Sequence, residues 1–133
     1  MRYWILIFLT SAIFSVNSQT VVNIDTVSIP AKTENIYNKP LFGDSLASSF
    51  CIIIKNEVKL HKHEFHSEHV LVIDGEGQMH LGDKVFKIKK GDLVFIPKNT
   101  VHSVKTTSKQ PLKVISIQAP LFDGKDRIII AEK

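Results

Sequence analysis

The sequence predicts an all-β protein, a single-domain sandwich or barrel, and three observations point there. A chain of 133 residues matches one domain, and its 44% hydrophobic content is enough for a packed core. Short apolar runs rich in Ile, Val and Phe are broken roughly every eight to twelve residues by Gly, Asp, Asn, Pro or Ser, which is the punctuation of many short strands. Helix signals are nearly absent.

The first segment, MRYWILIFLTSAIFSVNSQT, has one basic residue, Arg2, followed by an apolar run from Tyr3 to Leu9 that continues more weakly from Ala12 to Phe14. Val16 and Ser18 place small side chains at the third-last and last positions before a cut, with Gln19 opening the mature chain. Residues 1–18 are expected to be a cleavable secretory signal peptide and 19–133 the folded domain. A membrane anchor is the competing reading, and the apolar run falls short of the roughly 20 residues a spanning helix needs. The expectation is an exported, periplasmic or extracellular protein with no stable membrane anchor after cleavage.

Strands are then expected near Val21 to Ile29, Ala47 to Lys55, Val58 to His63, His69 to Ile73, Gln78 to Leu81, Lys84 to Ile88, Leu93 to Ile96, His102 to Thr106 and Leu112 to Gln118. Each combines β-branched or aromatic residues with a bounding turn signal. Gly75-Glu76-Gly77, Gly82-Asp83 and Gly91-Asp92 supply glycine where tight turns need positive φ. Pro97-Lys98-Asn99-Thr100 is a further turn, with Pro fixing φ and Asn tolerating the left-handed region. No internal repeat, low-complexity tract or linker divides the domain.

Charge and cysteine content exclude some classes. Loss of residues 1–18 would remove Arg2 and no acid, taking the formal net charge from +4 to +3. The lysines are scattered and do not alternate with aromatics, so no nucleic-acid partner is expected. Cys51 is the sole cysteine and cannot close an internal disulfide.

The chemistry concentrates in HKHEFHSEH, from His61 to His69. Residues two apart on a strand share a face, so His61 and His63 present two imidazoles that can chelate one metal ion. Glu68 follows after enough chain to turn and return a carboxylate from a neighbouring strand. A third nitrogen would come from elsewhere, and His102 opens the strand after the Pro97 turn. Three imidazoles and one carboxylate suit a six-coordinate, first-row divalent ion with two positions open.

These segments resemble the two motifs of the cupin superfamily. His61, His63, Glu68 and Gly75 match the first motif, and Gly91, Pro97 and His102 match the second. Lys55, Asn99 and Thr106 stand where the family pattern has Gly, Gly and Asn. The resemblance implies a jelly-roll, double-stranded β-helix barrel with one metal held by His61, His63, Glu68 and His102. Zinc, manganese, iron, nickel and copper all suit that set. It also implies pairing into a homodimer through sheet edges and N-terminal segments, with Val21 to Ile29 crossing to a partner.

The other candidates read more plainly. His66 lies between two ligands but is expected to be solvated, His69 points away from Glu68 by strand alternation, and His80 is expected to be exposed. Lys89-Lys90 reads as a solvated turn and Glu64 as a charge facing water. Parity puts Phe50, Ile52 and Ile54 on one face of their strand, opposite Ser49, Cys51 and Ile53. In the same way Leu112, Val114, Ser116 and Gln118 share a face. Arg127, the only arginine beyond residue 18, is shaped to grip a carboxylate but is expected to be a surface charge.

Two functional classes follow. One is a metal-dependent enzyme acting on a small oxygenated substrate, of dioxygenase or of sugar or uronate isomerase or lyase type, with the ion as Lewis acid. The other is a non-catalytic module binding a sugar, a small acid or the metal itself. No catalytic residue beyond the ligands is evident in the sequence.

Overall fold

The computed structural model describes residues 21–131, so the expected signal peptide lies outside the described residues. Ten strands follow in chain order: β1 (Ile36–Gly43), β2 (Ser48–Ile54), β3 (Glu57–Lys62), β4 (Ser67–Asp74), β5 (Glu76–Leu81), β6 (Lys84–Lys89), β7 (Leu93–Ile96), β8 (His102–Thr106), β9 (Leu112–Ala119) and β10 (Ile128–Ile129). They form two five-stranded antiparallel sheets, ordered β1-β2-β9-β4-β7 and β10-β3-β8-β5-β6. The barrel class read from the sequence is the one observed. No helix of the described residues is long and apolar enough to cross a membrane.

The inward faces of both sheets build the core: Ile54, Val72, Met79, Ile88, Ile96, Leu112 and Val114 are all buried. Strand alternation selects these residues, since each sits two positions from the next inward residue of its strand. Turn chemistry sets the register. Gly75 has φ +80°, and a Cβ there would lie 2.7 Å from the Pro111 carbonyl oxygen and 2.9 Å from Leu112 Cα, so only glycine fits where β4 passes into β5 beside the start of β9.

The motif departures are absorbed locally. Asn99 adopts φ 62°, the left-handed conformation expected of its Gly-like position, and its amide donates to the His63 carbonyl at 2.5 Å. Thr106 Oγ1 donates to the Ile54 carbonyl, and the Lys55 amide donates to the Asn35 carbonyl. Both hold turns outside the histidine cluster.

One strand expectation fails. Val21 to Ile29 contains only a short 3-10 turn, Ile24–Thr26, with the Asn23 side chain accepting from the Asp25 amide. This segment lies across the outside of the first sheet, where Val22, Ile24, Val27 and Ile29 pack on Cys51 and Ile53. Its apolar residues pack on its own sheet rather than pairing their backbone, so the segment is not a strand of this chain. It also seals Cys51, which is 0% exposed and whose thiol pKa burial pushes up. Two strands were not expected. β1 carries Asn38, Lys39 and Pro40, tolerated because it is a sheet edge. β10 is a two-residue pairing of the C-terminal tail with Lys62 and His61.

Candidate metal centre and cavity

The four side chains named from the motifs come from three strands and both sheets. His61 is near the end of β3, and His63 follows just beyond it, two residues on and turned to the same side. His102 opens β8 and is the direct cross-strand partner of His61, with ring centroids 4.1 Å apart. Glu68 is the second residue of β4, in the opposite sheet, so it closes the cluster from across the barrel. All four are buried.

Hydrogen bonding decides which ring nitrogens face one another. His61 Nδ1 lies 2.8 Å from the Lys59 carbonyl, His102 Nδ1 lies 2.9 Å from the Thr100 carbonyl, and His63 Nδ1 contacts the Asp126 carbonyl. A carbonyl only accepts, so each Nδ1 must carry the proton and each Nε2 keeps its lone pair. One nitrogen from each of the three rings falls within 4.8 Å of the other two. Glu68 Oε2 is 3.6 Å from His63 Nε2 and 3.5 Å from His102 Nε2. Two donors each about 2.1 Å from a shared ion would be about 3.0 Å apart at an octahedral angle and about 3.4 Å at a tetrahedral one. Glu68 Oε2 thus reaches His63 and His102, while the mutually close set of possible ligand atoms is His61, His63 and His102 without Glu68. The buried Nε2 atoms of His63 and His102 have no hydrogen-bond partner.

The electrostatics keep the carboxylate charged and one ring neutral. Burial alone would raise the Glu68 pKa, but polar contacts from His102, His63 and Ser116 outweigh it and hold the carboxyl well below the usual range. Ser116 Oγ donates to Glu68 Oε1 at 2.5 Å. Burial and the neighbouring His102 lower the His61 pKa to about 3, so this ring is an unprotonated donor at neutral pH. His63 goes the other way: burial lowers its pKa, and Glu68 with the Asp126 carbonyl more than reverses that.

The remaining expectations divide. His69 points outward and packs against Phe95, Lys89 and Lys90 are exposed, and Glu64 pairs with Lys62 at 2.9 Å on the surface. His80 is half-buried on β5 rather than exposed, and it lies outside the cluster. The expectation of a solvated His66 is overturned: the ring is 2% exposed and stacks on His63 with centroids 4.3 Å apart. The cause is Asp126, which sequence reasoning missed. Its carboxylate accepts from His66 Nδ1 at 2.6 Å and from the Glu64 and Phe65 amides at 2.8 Å each. The tail is thereby latched onto the loop between His63 and Glu68, with the Asp126 carbonyl on His63 Nδ1.

Beside the cluster lies a cavity of about 140 Å³. Ile52 and Ile54 of β2 line it, with Leu112, Val114 and Gln118 of β9, two sets that strand parity had each grouped on one face. Cys51 and Ile53 lie on the other side of their sheet. Asn38, Phe122 and Arg127 also line it; Arg127 is exposed, as expected of a surface charge, and from the rim its charge acts on both Glu68 and His61.

Comparison with known proteins agrees with this architecture. An uncharacterized protein of Aquifex aeolicus is 36% identical over 81 residues, 61% of this chain and 66% of that one. The mannose-1-phosphate guanylyltransferase RfbM of Salmonella typhimurium is 32% identical over 85 residues, which is 62% of this chain but only 18% of the transferase. The chain thus spans just under two thirds of the first relative and under a fifth of the second. A solved Klebsiella pneumoniae protein with a double-stranded β-helix domain superposes with a TM-score of 0.72 at 21% identity, covering 87% of this chain and all of that one. Residues 50–118, from mid-β2 to near the end of β9, match the Cupin domain, and the chain belongs to the cupin family.

Proposed function

We propose that His61, His63, Glu68 and His102 hold one divalent transition-metal ion and that the protein is an exported, metal-dependent enzyme acting on a small oxygenated substrate. The observation that carries this reading is the donor set itself. Three imidazoles have their Nδ1 atoms committed to backbone carbonyls, and the buried Nε2 atoms of His63 and His102 are left without a partner beside an ionised carboxylate. Such outer hydrogen bonds fix ring orientation and raise ligand basicity. Three nitrogens and one carboxylate oxygen suit Zn, Mn, Fe, Ni or Cu and leave positions open in a six-coordinate ion.

The bound ion would supply Lewis acidity toward a carbonyl or enolate oxygen. The chain's own residues do the rest. Ser116 and the histidines keep Glu68 ionised, and Ile52, Val58 and Met79 give the cavity an apolar wall. One feature favours a non-catalytic binding module instead. Among the cavity-lining residues, the only titratable side chains besides the four in the cluster is Arg127, which is unsuited to proton transfer at neutral pH.

Metal analysis of protein purified from its native compartment separates these readings. We expect about one ion per chain, a strong loss of metal in the His61→Ala variant, little change in His80→Ala, and turnover of a sugar or oxygen-dependent substrate only with metal bound. Tight ligand binding without turnover would leave the module. N-terminal sequencing of the same material, expected to start at Gln19, tests export.

A further inference from the structure

Most of the cavity wall is apolar, and two polar side chains in it have chemistry the metal cluster does not use. The first is Gln118. The Ser116 hydroxyl has a single proton, and Glu68 Oε1 at 2.5 Å is a carboxylate that can only accept it. Ser116 Oγ must therefore accept in turn from Gln118 Nε2, 3.3 Å away. This relay fixes the amide's orientation and leaves Gln118 Oε1 as an acceptor. That oxygen is buried on a residue 6% exposed, lines the cavity, and has no hydrogen-bond partner in the protein. It calls for a donor.

The second is Arg127, the only arginine among the described residues, which forms no ion pair within 4.0 Å there. Its backbone is held from both sides. Asp126 is latched by the loop bonds already described, Ile128 and Ile129 pair with Lys62 and His61, and the Arg127 amide donates to the Lys125 carbonyl at 3.0 Å. The Arg127 backbone is thus rooted beside the histidine cluster, and its exposed side chain stands at the rim of a wall whose other charge is the Glu68 carboxylate. It calls for an anion.

We propose that the cavity recognises a small hydroxy acid, with Arg127 gripping the carboxylate and Gln118 Oε1 accepting a hydroxyl proton. The assignment names a ligand class for the proposed metal centre and rests on that reading. Selectivity comes from what the wrong ligand leaves unpaired: a neutral polyol leaves the Arg127 charge unmet, and a deoxy acid leaves the Gln118 oxygen unmet.

The test uses three compounds of three carbons each, glycerate, glycerol and propionate, titrated calorimetrically into the zinc-treated full chain, with zinc content measured on every sample. The expected result is that glycerate binds in preference to both others. Arg127→Gln should lower the glycerate-over-glycerol ratio about tenfold or more, with Arg127→Lys in between, and Gln118→Met should lower the glycerate-over-propionate ratio. Direct chelation by zinc favours glycerate in every protein, so the assignment is judged by the change of each ratio from parent to variant, in which that chelation cancels. Equal affinities for the three compounds, no binding of glycerate, or ratios unmoved by both substitutions would overturn the assignment. The zinc content judges the metal reading separately: a chain that holds no zinc yet still prefers glycerate through Arg127 would sink the metal centre and keep the acid site.

Discussion

Replacing Asp126 by alanine should loosen the whole mouth of the barrel, because one carboxylate holds three donors from the loop between His63 and Glu68. The bonds reach the Glu64 amide at 2.8 Å, the Phe65 amide at 2.8 Å and His66 Nδ1 at 2.6 Å. Hydrogen bonds to a charged group contribute about 1.5–3 kcal/mol each. Phe65 is 74% exposed, so its amide can turn to water at little cost, whereas His66 at 2% exposed cannot. With His66 and Glu64 counted fully and Phe65 near zero, the loss is about 3–6 kcal/mol. For a domain of this size that corresponds to a melting point lower by about 12–24 °C.

Asp126→Asn offers a sharper comparison. Its single amide oxygen can still accept from Glu64, and its NH₂ can donate to His66 if that ring changes tautomer, so only the exposed Phe65 bond is lost. The two bonds that remain lose their charge assistance, so the cost should be about 1–2 kcal/mol. Acid should act in the same direction as the substitution. Burial raises the Asp126 pKa, but the Glu64 and Phe65 amides and His66 more than offset it, so the folded value lies below the usual 3.8. The stabilisation is therefore present above pH 3.8 and lost as pH falls through the lowered value. Thermal unfolding followed by circular dichroism is the assay. Asp126→Ala melting within about 3 °C of the parent, or Asn costing as much as Ala, would refute the latch.

Three further outcomes are expected. Zinc affinity, measured by competition with a chromophoric chelator, should fall on acidification from a pH above the ordinary imidazole value of 6.5, because the raised pKa of His63 lets a proton compete there, while His61 at about 3 does not; affinity unchanged from about pH 8 to pH 6 would contradict this. Gly75→Ala should cost about 2–4 kcal/mol, since it combines a left-handed φ with backbone atoms closer than 3.0 Å to the new Cβ; a melting point equal to the parent's would show that the turn yields. Leu71, Leu93, Phe95 and Ile117 form an exposed apolar patch on the outer face of the β9-β4-β7 half of the first sheet, the half that the N-terminal segment leaves bare. Light scattering at micromolar concentration should show a homodimer that Phe95→Glu converts to a monomer; a monomeric parent chain would end that expectation.

Local periodicity was enough to read most of the barrel, because strand formation and facing depend on a two-residue repeat. The strands from Ser48 to Ala119 lie where β-branched runs and turn glycines put them, and parity groups the residues that share each face of β2 and β9. The pairing of His61 with His63 on one side is equally local. Three things required the folded chain. Val21 to Ile29 has strand-like composition, but whether an apolar segment pairs its backbone or lays its side chains on a sheet depends on the free surface available, and here Cys51 and Ile53 offered one. The burial of His66 depends on a carboxylate sixty positions later at Asp126, and no pattern within the HKHEFHSEH segment contains that partner. The roles of Gln118 and Arg127 depend on what stands across the cavity. A two-residue repeat says which face a side chain shares but not what lies opposite: the pairing of β4 with β9 sets Ser116 beside Glu68, and closure of the second sheet over the first brings the C-terminal tail across from them.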